Sequence, residues 1–257
     1  MWLIWWRLLG CHVSIYIHNI SWRYFKKHAR FWRLLGSRHF RYIVLTEEIA
    51  NTLNSAGLPA SRLNNTLTDG DEPVALASRI PVKRLLWMSA VTAEKGFIVA
   101  YDTFLTLRAK DPAWHLDVYG AGLLAGNTDR FTYANFHGFT HGTKKQAALD
   151  AGGIFILPSH YINETQPLSI IEALANGIPF VASTIGGIKA MQGSGSSSLA
   201  GVCLEASSPV SDWVEAVEAV YDNYEAFSRA AITTYKTDFS RAAYRAGVSR
   251  LIDKSLN

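Results

Sequence analysis

The sequence predicts an α/β protein built on a doubly wound parallel sheet. Three observations carry this. From residue 84 onward, short apolar runs alternate with segments of helical spacing. Several runs are apolar throughout, as strands covered on both faces are. Gly120 and the pair Gly186-Gly187 follow such runs, where a strand must turn. Hydrophobic residues make up 49% of the 257 residues, enough for a sizeable core.

The elements follow in order. HVSIYIHNI (12–20) reads as a strand, and RYIVLTEEIANTLNSAGL (41–58) as a strand and a helix. SRLNNTLTDGDEP (61–73) reads as the approach to a linker between domains. Then come a strand in RLLWMSAV (84–91), a helix in FIVAYDTFLTLRAKD (97–111), and strands in WHLDVYGAG (114–122) and NFHGF (135–139). KKQAALDAG (144–152) precedes the buried strand GIFILPS (153–159). The helix PLSIIEALANG opens at Pro167, and PFVAS (179–183) and GVCLEA (201–206) are strands. SDWVEAVEAVYDNYEAF (211–227) reads as one helix and SRAAYRAGVSRLIDKSL (240–256) as another. GSGSSS (193–198) is low-complexity and reads as a loop near the Gly-Gly turn.

Residues 153–188 are the most informative. Glu164 stands in the loop before a helix and Glu172 inside it, with seven residues between them. Glu172 lies in an otherwise apolar run, where a carboxylate needs a hydrogen-bonding partner. Pro167 suits the first helical position, which requires no N–H. The N–H groups of Leu168 and Ser169 then point out of the helix start and, with the dipole, make an anion site suited to a diphosphate. Lys95, in AEKGF, also stands at a helix start, where its charge opposes the dipole and calls for an anion.

This segment resembles the donor-binding signature of the retaining GT-B glycosyltransferases, family 4 in particular. The carriers are Pro158-Ser159, Glu164 to Glu172, Ala173 to Gly177 to Pro179, and Gly186-Gly187. The resemblance implies that Glu164 contacts the donor sugar, Glu172 holds the ribose hydroxyls and Lys95 meets the donor phosphates. Thr165, Gln166, Pro167, Leu168, Ser169, Gly120 and Ser89 are counted with the donor site. His18 and Thr140 are further candidates. Two departures stand out. Ala90 occupies the position of an arginine that grips the diphosphate, and Lys189-Ala190 follow the Gly-Gly turn in place of an acid.

The resemblance also implies two Rossmann-like domains. Residues 1–78 read as the last part of an N-terminal, acceptor-side domain, with residues 1–9 in an interior helix. Residues 79–235 read as a complete nucleotide-sugar-binding domain, and 236–257 as a helix returning to the N-terminal part. The expectation is an N-terminally truncated enzyme that binds donor weakly and transfers little or no sugar alone. Its partners would be a nucleoside diphosphate sugar, a glycan or lipid-linked acceptor, and a polypeptide carrying the missing half. The pathway implied is polysaccharide or glycolipid synthesis. The donor is a substrate, so no cofactor is called for. Other readings are a non-catalytic nucleotide-sugar-binding remnant, one half of a split enzyme, a GT-B epimerase, and a scaffold on a membrane surface.

Charge is uneven. Residues 1–46 hold eight Lys/Arg, no Asp/Glu and five of the eight tryptophans, against a net charge of +4 for the whole chain. WRYFKKHARFWRLLG is a basic, aromatic segment of the kind that lies on anionic membranes; a solvated helix with packed aromatics is the alternative. No recognition motif points to nucleic acid. MWLIWWRLLGC lacks the basic start of a signal peptide, and no run approaches the ~18 apolar residues of a spanning helix. Cys11 and Cys203 form no disulfide framework, so a cytoplasmic protein is expected, and the basic segment adds the expectation of a peripheral place on the inner membrane face. His137 and His141 have no partner at ligand spacing, so no metal site is expected.

Overall fold

Six apolar runs become the strands of one parallel sheet: β4 (Arg84–Met88), β5 (His115–Tyr119), β6 (Ala134–Gly138), β7 (Ile154–Leu157), β8 (Phe180–Ser183) and β9 (Gly201–Leu204). The structure is a computed structural model that describes residues 13–17, 22–36, 40–68, 79–126, 128–193 and 199–256. The spatial order is β6-β5-β4-β7-β8-β9. The chain winds outward from β4 through β5 to β6, returns to β7 beside β4, and winds outward the other way. Winding thus reverses between β4 and β7, and in such sheets ligands bind outside the strand ends at the reversal. β4, β7 and β8 are buried along their whole length, which is why they are apolar runs and not alternating ones.

Two helical layers cover this sheet. α4 (Phe97–Lys110) packs with α7 (Val210–Asp222) on one face. On the other, α6 (Leu168–Ala175) packs with α8 (Tyr224–Thr234), and α5 (Gly142–Asp150) lies beside α6, where Gln146 donates to Asn176 at 2.8 Å. The core includes fully buried Trp87, Phe97, Phe104, Phe155, Phe180 and Trp213.

A second, smaller sheet has the order β1 (Val13–Ile17), β2 (Phe40–Val44), β3 (Ala60–Arg62), again all parallel. Ile17, Phe40, Tyr42 and Val44 from its strands pack with Ala50, Leu53 and Leu58. The helix α3 (Glu47–Ser55) carries two of these, and Thr46 caps it by accepting from the Ile49 N–H at 3.2 Å. α1 (Trp22–Lys27) and α2 (Ala29–Gly36) place Phe25, Ala29 and Trp32 on that core, at i, i+4 and i+7. Contacts divide the chain into Met1–Asn65 with Arg241–Asn257, and Thr66–Ser240. Within the first unit, α9 (Arg241–Leu256) accepts a hydrogen bond from Arg41 Nη1 at Leu251 O, 2.9 Å.

The structure corrects four local readings. The segment 211–227 is two helices, because the Asn223 side chain turns back to Ala219 O at 3.1 Å and ends the first. The stretch read as an approach to a linker begins with the last two residues of β3, whose pairing with β2 no local pattern announces over three residues. The basic segment is two short helices that meet at His28. Pro167 is the residue before α6 (φ −60°, ψ 123°), and its carbonyl accepts from the N–H groups of Ile170 and Ile171. His18, residues 1–9, Cys11, and parts of the linker and the GSGSSS segment lie outside the described residues. Among the described residues, no helix is long and apolar enough to cross a membrane.

Candidate functional site

The site forms where β4 and β7 end, and two glycines set its geometry. Gly96 ends the loop after β4 at φ +82°, and a Cβ there would lie 1.9 Å from Pro158 O. The loop carrying Lys95 can therefore close on the end of β7. Gly186, after β8, lets that loop close in the same way on the loop after β7. Its φ is +59°, and a Cβ would lie 1.7 Å from Glu164 O. Gly187 N–H then donates to Thr165 O at 2.7 Å, which fixes the approach to α6. Both glycines occupy backbone conformations that L-residues adopt only with strain.

Glu164 is buried, and its Oε2 accepts from Lys95 Nζ at 2.5 Å and from Ser159 Oγ at 3.3 Å. Ser159 is held in turn, since its carbonyl accepts from Ser183 Oγ at 2.7 Å and its Oγ accepts from the Tyr161 N–H at 3.1 Å. The Lys95 ammonium also lies 4.4 Å from the centre of the Tyr161 ring, a cation–π contact. Gln166 is buried in the same loop, and Leu168 is half exposed at the start of α6. The first N–H groups of α6 have no partner inside the helix, and the N-cap residue Pro167 offers no side-chain acceptor to them.

Glu172 lies one turn further along α6. Its side chain is 14% exposed, and its Oε1 accepts from Lys145 Nζ at 2.9 Å. The partner that its apolar surroundings demanded is thus a lysine from the first turn of α5. A cleft of about 470 Å3 opens beside this pair. Ser89, Gly120, Thr140, Ser169 and Glu172, all singled out in the sequence, line it, as does Ala90. So do Tyr119, Phe139, His141 and Lys145, which sequence reasoning missed. A signal existed for Lys145, because a lysine in a helix's first turn opposes the dipole as Lys95 does.

The wall at Tyr119 is stiffened from behind. Arg84, 2% exposed, donates from Nε to Asp117 Oδ2 at 2.5 Å and from Nη1 to Gly152 O at 2.5 Å and Ala148 O at 3.0 Å. Asp117 Oδ1 accepts from Asn135 Nδ2 at 3.0 Å and lies 3.0 Å from His137 Nε2. The His137 ring stacks on Tyr119 with centroids 4.4 Å apart. Burial works against the Asp117 charge, but the bonds to His137, Arg84 and Asn135 outweigh it and hold the carboxyl below its ordinary range.

The larger unit, with its outward winding from β4 and its glycine-set loops, has the Rossmann-like architecture of GT-B glycosyltransferases. The sequence model described as Glycosyl transferases group 1 matches residues 82–223, and the chain belongs to that family. Among solved structures, Anabaena HepE in complex with UDP is similar at a TM-score of 0.73 and 15% identity, with 98% of this chain and 75% of that one covered. S. aureus TarM, in a complex that includes UDP, gives 0.73 and 17%, over 96% and 51%. The pneumococcal O-GlcNAc transferase GtfA, with UDP and GlcNAc, gives 0.69 and 14%, over 96% and 53%. The chain thus spans about half the length of TarM and of GtfA, and three quarters of HepE. No curated protein matches the chain at a significant level.

Proposed function

We propose that the larger unit binds a nucleoside diphosphate sugar and that the chain serves glycosyl transfer to an acceptor hydroxyl with retention, as in family 4. One observation carries this reading. Two Lys–Glu pairs, Lys95–Glu164 and Lys145–Glu172, flank the uncapped start of α6 at the reversal of the sheet. Each pair offers a cation for phosphate and a carboxylate for sugar hydroxyls. In this reading the diphosphate lies against the N–H groups of Leu168 and Ser169, with Lys95 beside it. Glu172 accepts from the ribose hydroxyls and Glu164 from the transferred sugar. As the glycosidic bond breaks, negative charge grows on the departing diphosphate, where the helix start and Lys95 stabilise it. Support also comes from the UDP named with the HepE, TarM and GtfA structures.

The acceptor is a glycan or a lipid-linked sugar, in polysaccharide or glycolipid synthesis, reached at an anionic membrane surface. The observation behind the membrane is the outer face of α1 and α2. Tyr24, Phe31 and Leu34 are exposed there beside Lys26, Lys27, Arg30 and Arg33, an apolar stripe next to a basic one. Ala90 in the cleft wall favours a second reading, a domain that binds the donor without cleaving it. One assay separates these. The purified chain is incubated with nucleotide sugars and anionic vesicles carrying a lipid extract. Turnover by the chain alone is expected to be slight, what product forms is expected to keep the donor's anomeric configuration by NMR, and the chain is expected to sediment with anionic but not neutral vesicles. An inverted product would overturn retention, and binding without any cleavage would leave the second reading.

A further inference from the structure

We propose that Lys145 is a phosphate-binding residue of the donor cleft, carried there by its ion pair with Glu172. This rests on the donor reading above. Among the described residues lining the cleft, Lys145 is the one lysine or arginine. Lys95, paired with Glu164 on the adjoining loop, is not among the residues that line the cleft, and Ala90 contributes no charge to the wall. A diphosphate entering this cleft is a multiply charged anion, and the α6 start supplies only a fractional positive charge against it.

The chemistry of the pair fits an exchange. Lys145 and Glu172 are 20% and 14% exposed, so neither is well hydrated, and each needs a partner. A nucleoside diphosphate brings a matching partner for both: hydroxyl donors for the carboxylate and anionic oxygens for the ammonium. The lysine stem is flexible, and its three donors rotate, so it can turn from the carboxylate to a phosphate within one cleft. A free nucleoside brings only the hydroxyls. Lys145 therefore sets the preference for diphosphate over nucleoside, while Glu172 acts on both.

The test is calorimetric titration of the full chain with UDP, one representative nucleoside diphosphate, and with uridine. Lys145→Met, which keeps the stem and removes the charge, is expected to weaken UDP about 10- to 100-fold and to leave uridine within a few-fold. Ala90→Arg added to Lys145→Met, which returns a cation to the same cleft, is expected to restore UDP affinity and not uridine affinity. If Lys145 only braces Glu172, both ligands weaken alike, and the proposal falls. It also falls if UDP binding depends on Glu172 and ignores Lys145, in which case the donor reading stands. If the wild-type chain binds neither UDP nor another nucleoside diphosphate, both fall together. Thermal unfolding of each variant separates loss of the site from loss of the fold.

Discussion

Lys95→Ala is expected to slow release of nucleoside diphosphate from its sugar about 10²- to 10³-fold, the loss typical of removing one donor aimed at developing charge. The lysine has two tasks in the proposed site. It pairs with buried Glu164 at 2.5 Å, and through that pair it is tied to the loop that leads into α6. Its removal also leaves Glu164 with Ser159 Oγ, at 3.3 Å, as the one hydrogen-bond donor to its carboxylate among the described residues. Donor cleavage by water needs no acceptor, so released diphosphate can be followed on the chain by itself. Lys95→Arg should recover part of the rate, because a cation returns to the loop. An unchanged rate in Lys95→Ala, with the unfolding midpoint unmoved, would remove Lys95 from the site.

The largest expected loss of stability follows Arg84→Met. The guanidinium is 2% exposed and binds Asp117 and two backbone carbonyls. Removing it takes the guanidinium from a half-buried carboxylate, which keeps Asn135 and His137, and leaves two carbonyls without that donor; breaking such a pair typically costs about 3–5 kcal/mol. The pH dependence has a definite sign. Asp117 titrates below its ordinary value in the folded protein, so its contribution is present above the unfolded pKa of about 3.9 and is lost as pH falls through the lower folded value. The gap between wild type and Arg84→Met, measured by urea unfolding, should therefore be wide near neutrality and narrow below about pH 4. A gap under about 1 kcal/mol at neutral pH would mean that the buried pair does not hold β4 to β5.

What the sequence made legible divides by range. The order of strands and helices from β4 to β9 was readable because each element carries its own local pattern, and both glutamates stood in one continuous segment. Pairings between distant segments were not readable. Lys145 and Glu172 are 27 residues apart, and Lys95 and Glu164 are 69 apart. Only the parallel sheet brings either pair together. Asn223 ended a helix through its own side chain, against an apolar periodicity that continues through it. Arg84 read as the polar start of a strand, and nothing beside it foretold that Asp117 and the carbonyls at the end of α5 would enclose it. β3 is too short to have a period of its own, and only its neighbour β2 makes it a strand.

The most direct measurement is calorimetric titration of the wild-type chain and Glu172→Ala with a nucleoside diphosphate. Glu172 is the carboxylate at which the resemblance and the cleft geometry meet. Saturable one-to-one binding by the wild type is expected. A loss of roughly 2–3 kcal/mol in Glu172→Ala is expected beside it, the scale of a charged hydrogen bond to paired hydroxyls. Equal affinity in the two proteins, both folded by circular dichroism, would contradict a nucleotide-sugar site at the start of α6.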